Sequence, residues 1–461
     1  MLCQRNLHRG WSWVVVACTL AYFLANSVVT RAADAAKPNI VVIFSDDQGY
    51  GDVGCYGCTD IRTPALDGLA RQGVRFTNYY ANAPECTPTR TAFLTGRYQQ
   101  RVGGMECALG FGHVGRYDDA IRLRAQNELG LPASETSLGQ LLKKAGYATA
   151  VCGKWHLGYV PKFSPNRHGF DYAFYTLGGG VDYFHHTEPD GTPMLYLNEK
   201  PIQREGYMTD LITEEAVGFL RRQRDKPFFL YVPYTAPHTP YQGPSDKSPK
   251  HKTLEEFNIG TRAKYAEMVE RMDRGIGKIL KTLDDRGLAK NTLLIFASDN
   301  GANDKGRNYP FRGFKSGTFE GGIRVPAIVR WPGVLTAGKT TDQATITLDF
   351  SKSILRAAGA PPPKGRKLDG IDVLQRLSDS RPTIDRTLFW RQRRGDLTWR
   401  AVRDGSMKYV SRTEGDKFQE YVFDLASDPA EKHNLLAKDP KTTGRLKSLL
   451  TAWEKEVRPA R

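Results

Sequence analysis

The stretch Pro38-Asn39-Ile40-Val41-Val42-Ile43-Phe44-Ser45-Asp46-Asp47-Gln48-Gly49-Tyr50-Gly51-Asp52 decides the fold. Its first half is a continuous β-branched run, which predicts a strand buried on both faces, as in a parallel sheet. Its second half puts two adjacent carboxylates, Asp46 and Asp47, at the C-terminal tip of that strand. Burying them is costly unless something positive sits beside them. In open α/β sheets that tip is also where ligands bind. A hard cation with oxygen ligands satisfies both conditions, and a solvated acidic turn is the plainer alternative.

The same alternation recurs downstream. Thr63 to Gly73 carries helix punctuation: Thr as N-cap, Pro64 in the first turn, Gly past the end. A helix over about Thr136 to Ala145 precedes a strand, Tyr147 to Cys152, which delivers Gly153-Lys154-Trp155-His156-Leu157-Gly158. Strand alternation would set Lys154 and His156 on one face. A cation beside a titratable imidazole suits an anionic substrate, though both residues also read as ordinary surface. The amphipathic Leu211–Arg222 leads to a strand, Lys226 to Val232, that runs into Pro237-His238. A helix over Arg262–Asp285 leads to Thr292 to Ala297, which delivers Ser298-Asp299-Asn300-Gly301, a second pair of oxygen ligands at a strand tip. Ile323 to Trp331 is a further strand. Strand–helix repetition of this kind predicts an α/β fold with a large, mostly parallel central sheet flanked by helices.

After about residue 350 the texture changes. Ala360-Pro361-Pro362-Pro363-Lys364-Gly365 is a rigid break, Arg400 to Val410 and Glu420 to Leu425 read as shorter strands, and Lys441 to Val457 as a terminal helix. The expected division is a main α/β domain over 36–355 and a smaller C-terminal α+β subdomain over 356–461. The cluster Trp390-Arg391-Gln392-Arg393-Arg394 either grips an anion or is a basic loop.

The first 35 residues stand apart. Arg5 and Arg9 precede an apolar run, Trp11 to Val29, followed by small residues, which is the order of a secretory signal. The expectation is export to a periplasmic, secreted or lysosome-like compartment, without stable membrane association unless the segment stays uncleaved as an anchor. The formal charge is +16; removing Arg5, Arg9, Arg31 and Asp34 with the signal leaves +14. Such a balance fits a polyanionic partner or a generally basic surface. With no zinc-finger spacing or RNA-binding signature, nucleic acid is not expected. Of seven cysteines, Cys3 and Cys18 go with the signal, leaving the odd set Cys55, Cys58, Cys86, Cys107 and Cys152. Cys55 and Cys58 either pair or stay free.

Cys86 stands in Ala83-Pro84-Glu85-Cys86-Thr87-Pro88-Thr89-Arg90-Thr91-Ala92-Phe93-Leu94-Thr95-Gly96-Arg97, at the start of a short helix. Free backbone N–H groups there favour negative charge, but a structural cysteine fits as well. Gly178-Gly179-Gly180-Val181-Asp182-Tyr183-Phe184-His185-His186 is a loop fit to line a pocket.

Together these blocks resemble the type I sulfatases of the alkaline phosphatase superfamily. Cys86-Thr87-Pro88-Thr89-Arg90, continued by Thr95-Gly96-Arg97, matches the family's C-x-P-x-R signature. Asp46-Asp47-Gln48-Gly49, Gly153 to Gly158, Pro237-His238, Ser298-Asp299-Asn300-Gly301 and Lys315 with Glu320-Gly321-Gly322 match its other blocks in order.

The resemblance implies an alkaline phosphatase-like fold and a sulfuric ester hydrolase. It implies that a formylglycine-generating enzyme oxidises Cys86 to formylglycine, whose hydrate attacks sulfur with one hydroxyl and expels sulfate through the other. It assigns Asp46, Asp47, Asp299 and Asn300 to one Ca²⁺, with the residue-86 oxygen completing the shell. Arg90 would hold the hydrate and the carboxylates, and Lys154 and Lys315 the sulfate oxygens. His238 with Lys315 would protonate the leaving alcohol, and His156 would be the base for the second hydroxyl. The expected substrate is a sulfated small molecule or oligosaccharide, from glycosaminoglycan or algal polysaccharide; Asp182, His185 and His186 are candidate leaving-group contacts. The alternatives are a phosphonate monoester or phosphodiester hydrolase with the same site, and a polyanion-binding protein with an unconverted Cys86.

Overall fold

Ile40 to Phe44 are buried without exception, and the strand that holds them, Asn39–Ser45, lies inside a ten-stranded sheet. The structure, a computed structural model, describes residues 37–223, 225–246 and 253–459; the segment read as an export signal lies outside them. Five strands form the parallel centre, in the spatial order Thr292–Ser298, Asn39–Ser45, Phe228–Pro233, Ala148–Lys154 and Tyr172–Thr176. Antiparallel strands flank it: Ala327–Arg330 on one side and Leu195–Leu197 on the other. The sheet is therefore mixed but parallel where it matters.

Alternation along Asn39–Ser45 explains the two layers around it. Ile40, Val42 and Phe44 face a cluster with Phe93, Leu94, Leu142 and Phe350, from the helices Cys86–Thr95, Leu138–Lys144 and Thr347–Ala357. Val41 and Ile43 face the opposite cluster, with Leu66, Ile212, Met268 and Met272 from Pro64–Gln72, Met208–Arg222 and Arg262–Asp285. A strand apolar on both faces thus has helices to cover each, and every fully buried aliphatic side chain contributes roughly 1.5–3 kcal/mol. Among the described residues no helix is long and apolar enough to cross a membrane.

The C-terminal part is a four-stranded antiparallel meander, Thr387–Arg394, Leu397–Asp404, Met407–Glu414 and Lys417–Asp424. The single strand expected over Arg400 to Val410 is in fact two, because Gly405 takes a φ of +59° and turns the chain. The helix Pro440–Glu456 covers the sheet with Leu446, Leu450 and Trp453. Trp390, in the cluster read as either an anion grip or a basic loop, is core: it lies on the strand Thr387–Arg394, is fully buried, and its Nε1–H donates to Ala81 O at 2.9 Å. The five cysteines in the described residues are all free thiols, Cys55 and Cys58 included.

Candidate active site

Strand register brings the acidic tips together. Asn39–Ser45 pairs in parallel with Thr292–Ser298, and Ser45 lies opposite Ser298. Asp46-Asp47 and Asp299-Asn300 therefore leave the sheet side by side. Asp299 N donates to Ser45 O at 3.1 Å, and Asp47 N to Asp299 Oδ1 at 3.3 Å. Asp47 turns away with a φ of 63°, an uncommon backbone for a residue with a side chain. His156 (54°) and Ser316 (70°), beside Lys315, share that conformation. Strained residues of this kind cluster at sites whose geometry the surroundings over-determine.

Cys86 opens the helix Cys86–Thr95, with Glu85 as its extended N-cap. One helical turn sets Arg90 on the same face. Arg90 is fully buried and donates through Nε and Nη2 to Asp299 Oδ2 (3.0 and 2.7 Å) and through Nη1 to Lys154 O (2.9 Å). Gly96 ends the helix at a φ of 66°, and a Cβ there would meet Leu368 Cδ2 at 2.8 Å, so the residue is fixed by both conformation and space.

The cations meet the carboxylates in pairs. Lys154 Nζ lies 2.5 Å from Asp46 Oδ2, and Lys315 Nζ 2.8 Å from the Asp47 carboxylate. Asn300 Nδ2 and Asn303 Nδ2 donate to Asp47 at 2.7 and 3.1 Å. Burial raises the pKa of Asp46 against the opposing pull of Lys154, whereas Lys315 and His238 outweigh burial at Asp47 and lower it.

His156 reaches Cys86 by a route that alternation did not foresee. The strand ends at Lys154, and His156 lies beyond it in left-handed backbone, so the two are not neighbours on one strand face. Even so, His156 Nδ1 is 3.2 Å from Cys86 Sγ, while Nε2 lies 2.9 Å from Leu109 O. A carbonyl only accepts, so Nε2 carries the proton and Nδ1 presents its lone pair to residue 86. Burial, with Lys154 adding to it, holds the ring well below its usual pKa and hence neutral. His238 is oriented alike: Nδ1 donates to Thr239 O at 2.7 Å, and Nε2 faces Asp47 at 3.7 Å. Burial and then Lys315 push it down as well. At Cys86, burial raises the thiol pKa and outweighs Lys154 and Lys315. Of the two sequence readings of this cysteine, a thiolate favoured by the helix start is not supported, because desolvation at a fully enclosed position outweighs the nearby positive charge.

Whether these residues suit a hard cation can be judged from their unused atoms. Asp46 Oδ1 and Asn300 Oδ1 are buried without a hydrogen-bond partner, and Arg90 Nη2 stands 3.8 Å from the former, beyond hydrogen-bond reach. Asp46, Cys86 and Asp299 bring one ligand atom each within 4.8 Å of one another, as do Asp46, Asp47 and His238. Orphaned buried oxygens of this kind cost about 1–3 kcal/mol each unless something positive meets them. The set is oxygen-rich and fits a calcium-like ion.

Cys86, His156, His238 and Lys315 line one cavity, together with Leu109, Gly179, Gly180, Arg116 and Arg394. The glycines belong to the loop predicted to line a pocket, and a Cβ on Gly179 would stand 2.4 Å from His156 Cε1. The rest of that loop does not line the cavity. Asp182 is fully buried; its Oδ1 accepts the N–H groups of Phe184 and His185 (2.9 and 2.7 Å), and Oδ2 accepts Gln242 Nε2 (2.9 Å). Its carboxylate holds its own turn. His186 Nε2 bonds Gly206 O at 3.0 Å, and His185 lies beside Asp182. None of Asp182, His185 and His186 lines the cavity above Cys86. Sequence reading missed Asn303, the Leu109 carbonyl, Arg116 and Glu85. Asn303, the Leu109 carbonyl and Glu85 act through partners remote in the chain, and Arg116 reaches the cavity through tertiary packing, so no local pattern marked them.

An enclosed residue 86, a cation-ready oxygen cluster, two lysines and two neutral imidazoles define a hydrolase of anionic esters. The chain belongs to the sulfatase family and is a sulfuric ester hydrolase. The Sulfatase family profile matches residues 38–360, and that of the N-sulphoglucosamine sulphohydrolase C-terminal region matches 314–456. N-acetylgalactosamine-6-sulfatase of Homo sapiens is 36% identical over 383 residues, 79% of this chain and 70% of the relative. Steryl-sulfatase of Rattus norvegicus is 30% identical over 530 residues, 91% of this chain and 88% of the relative. The solved structure of Ps i-CgsB with k-i-k-neocarrahexaose superposes with a TM-score of 0.78 at 32% identity, covering 91% of this chain and 93% of that one.

Proposed function

We propose that this sulfatase removes sulfate from sulfated carbohydrates at a formylglycine made from Cys86, beside a calcium ion held by Asp46, Asp47, Asp299 and Asn300. The observation that carries the reading is a pair of buried oxygens without a hydrogen bond, Asp46 Oδ1, which has only Arg90 Nη2 at 3.8 Å, and Asn300 Oδ1, beside the Asp46, Cys86 and Asp299 cluster. Formylglycine would supply a hydrated aldehyde with two hydroxyls, and calcium a charge that lowers their pKa and neutralises sulfate. The chain's own residues do the rest. Lys154 and Lys315, each held against a carboxylate, clamp the sulfate oxygens. Arg90 fixes Asp299 and the residue-86 face of its helix. His156 Nδ1, its lone pair aimed at residue 86, takes the proton of the hydroxyl that expels sulfate. His238, held by Thr239 O and faced by Lys315, hands a proton to the leaving alcohol. The bound sulfate's negative charge raises its pKa for that step.

The carbohydrate preference draws on the N-acetylgalactosamine-6-sulfatase among the relatives and the k-i-k-neocarrahexaose in complex with the structural neighbour. The proposed maturation partner is a formylglycine-generating enzyme. Export through residues 1–35 and the division into 36–355 and 356–461 belong to the same reading. One experiment tests its core. Protein purified from its native host is assayed for sulfate release from sulfated oligosaccharides before and after calcium chelation, and its Cys86 peptide is weighed. The expected result is chelation-sensitive release and an aldehyde mass at residue 86. An intact thiol in active protein, or activity indifferent to chelation, sinks the proposal.

A further inference from the structure

The floor of the cavity is assigned to sulfate, but its wall carries two more cations that this role leaves over. Arg116 and Arg394 both line it. Arg394 ends the first strand of the C-terminal sheet, and Arg116 precedes the helix Asp118–Ala125. The two segments are tied, since Gly395 N donates to Arg116 O at 2.5 Å. Arg394 Nη2 donates to Glu85 Oε1 at 2.5 Å. Glu85 is fully buried and also accepts from Ala108 N (2.6 Å), Ser316 Oγ (2.6 Å) and Cys107 Sγ (3.0 Å). Its charge is thus shared among four donors, and Arg394 Nε is buried without an acceptor. No carboxylate pairs with Arg116 among the described residues. Two guanidinium groups therefore share a cavity with a sulfate site, one incompletely satisfied and one without an ion pair. A guanidinium so placed binds carboxylate or sulfate through paired N–H groups.

We infer that Arg116 and Arg394 form a second anion subsite, which reads a further negative group on the sugar that carries the scissile sulfate or on its neighbour. The preferred substrate is then at least doubly anionic. This rests on the carbohydrate reading above. The shared chemistry is an oxyanion, supplied either by a uronate carboxylate or by a second sulfate ester.

Steady-state kinetics on three substrates test it: an aryl sulfate with an uncharged leaving group, a monosulfated disaccharide with a uronate, and a disulfated disaccharide without one. Wild-type enzyme is expected to favour at least one doubly charged substrate in kcat/KM. Arg116→Gln and Arg394→Gln are each expected to shrink that preference about tenfold or more, chiefly through KM. Raising ionic strength from about 50 to about 300 mM should narrow the wild-type preference more than that of either variant. The disaccharide whose preference collapses identifies the oxyanion. Arg116, outside the Glu85 network, keeps the test decisive if Arg394→Gln fails to fold. An unchanged preference in Arg116→Gln, or none in the wild type, overturns the subsite. A wild type that cleaves the aryl ester and no sugar sulfate overturns the carbohydrate reading itself.

Discussion

Residue 86 is enclosed, has a neutral imidazole nitrogen 3.2 Å away, and carries a thiol that burial keeps protonated. A protonated thiol is a poor nucleophile, so the position is better suited to a hydroxyl whose proton His156 can remove. This yields a prediction about how many chemical steps the side chain must serve. Cys86→Ser offers one hydroxyl and no second. If that serine escapes oxidation, it is expected to release at most one equivalent of alcohol per site, free almost no sulfate, and gain the mass of one sulfuryl group on its peptide. Multiple turnovers by a chemically intact serine would mean that water hydrolyses the sulfated side chain, and the two-hydroxyl account would be wrong.

At the scale of elements, two strand tips and one glycine loop set the geometry. The tips needed only parallel pairing in the register Ser45 to Ser298, and the continuous apolar runs ending in Asp46-Asp47 and Asp299-Asn300 announced them. The loop acts by closeness. Its backbone passes so near His156 that a methyl group on Gly179 would lie 2.4 Å from the ring. Gly179→Ala should therefore push the imidazole off residue 86. Misplacement by about 1 Å costs on the order of 10²-fold in rate. The expected signature is a fall in kcat of that size with the Cys86 peptide still fully converted. A wild-type kcat would show that the loop yields instead. The same contrast explains what was legible in the sequence. Strands, helices, metal-ready carboxylates, Lys154 and His238 sit at pattern-bearing ends of elements. Asp182 and Glu85 look like any acidic loop residue. One proves to hold a turn and the other to brace Arg394, because their partners, Gln242 and Ser316 among them, are set by tertiary packing that no local spacing encodes.

On the scale of the whole molecule, a buried charge cluster bolts the C-terminal sheet to the short helix Glu320–Ile323 and to the two-stranded sheet of Tyr79–Tyr80 and Thr345–Ile346. Lys408, on the strand Met407–Glu414, lies 2.7 Å from Glu320 and 2.9 Å from Glu431, and all three side chains are fully enclosed. Glu320 also accepts Tyr80 Oη at 2.6 Å, which ties the cluster to the strand Tyr79–Tyr80. Removing one partner of such a group leaves an uncompensated buried charge, at a cost of about 3–5 kcal/mol. Lys408→Met is accordingly expected to lower the thermal midpoint and, by loosening the sheet that carries Arg394, to weaken substrate binding. The two carboxylates respond to pH in opposite senses. Lys408 overcomes burial at Glu320 and lowers it to about 2, so its contribution is present above the ordinary 4.5 and lost only as pH falls through about 2. Burial, with Glu320 adding to it, raises Glu431 to about 7 against the pull of Lys408. A raised acid contributes stability below 4.5 and loses it as pH rises through about 7. Glu431→Gln, which mimics the protonated acid and keeps an acceptor for the Glu320 N–H (2.6 Å), should remove that loss. Thermal melts of wild type and Glu431→Gln at about pH 5.5 and 8.5 measure it. The wild type should lose more of its midpoint over that interval than the variant. Equal losses, or a variant several kilocalories less stable at the higher pH, would show that Glu431 is ionised in the folded protein and that Lys408 serves both carboxylates alike.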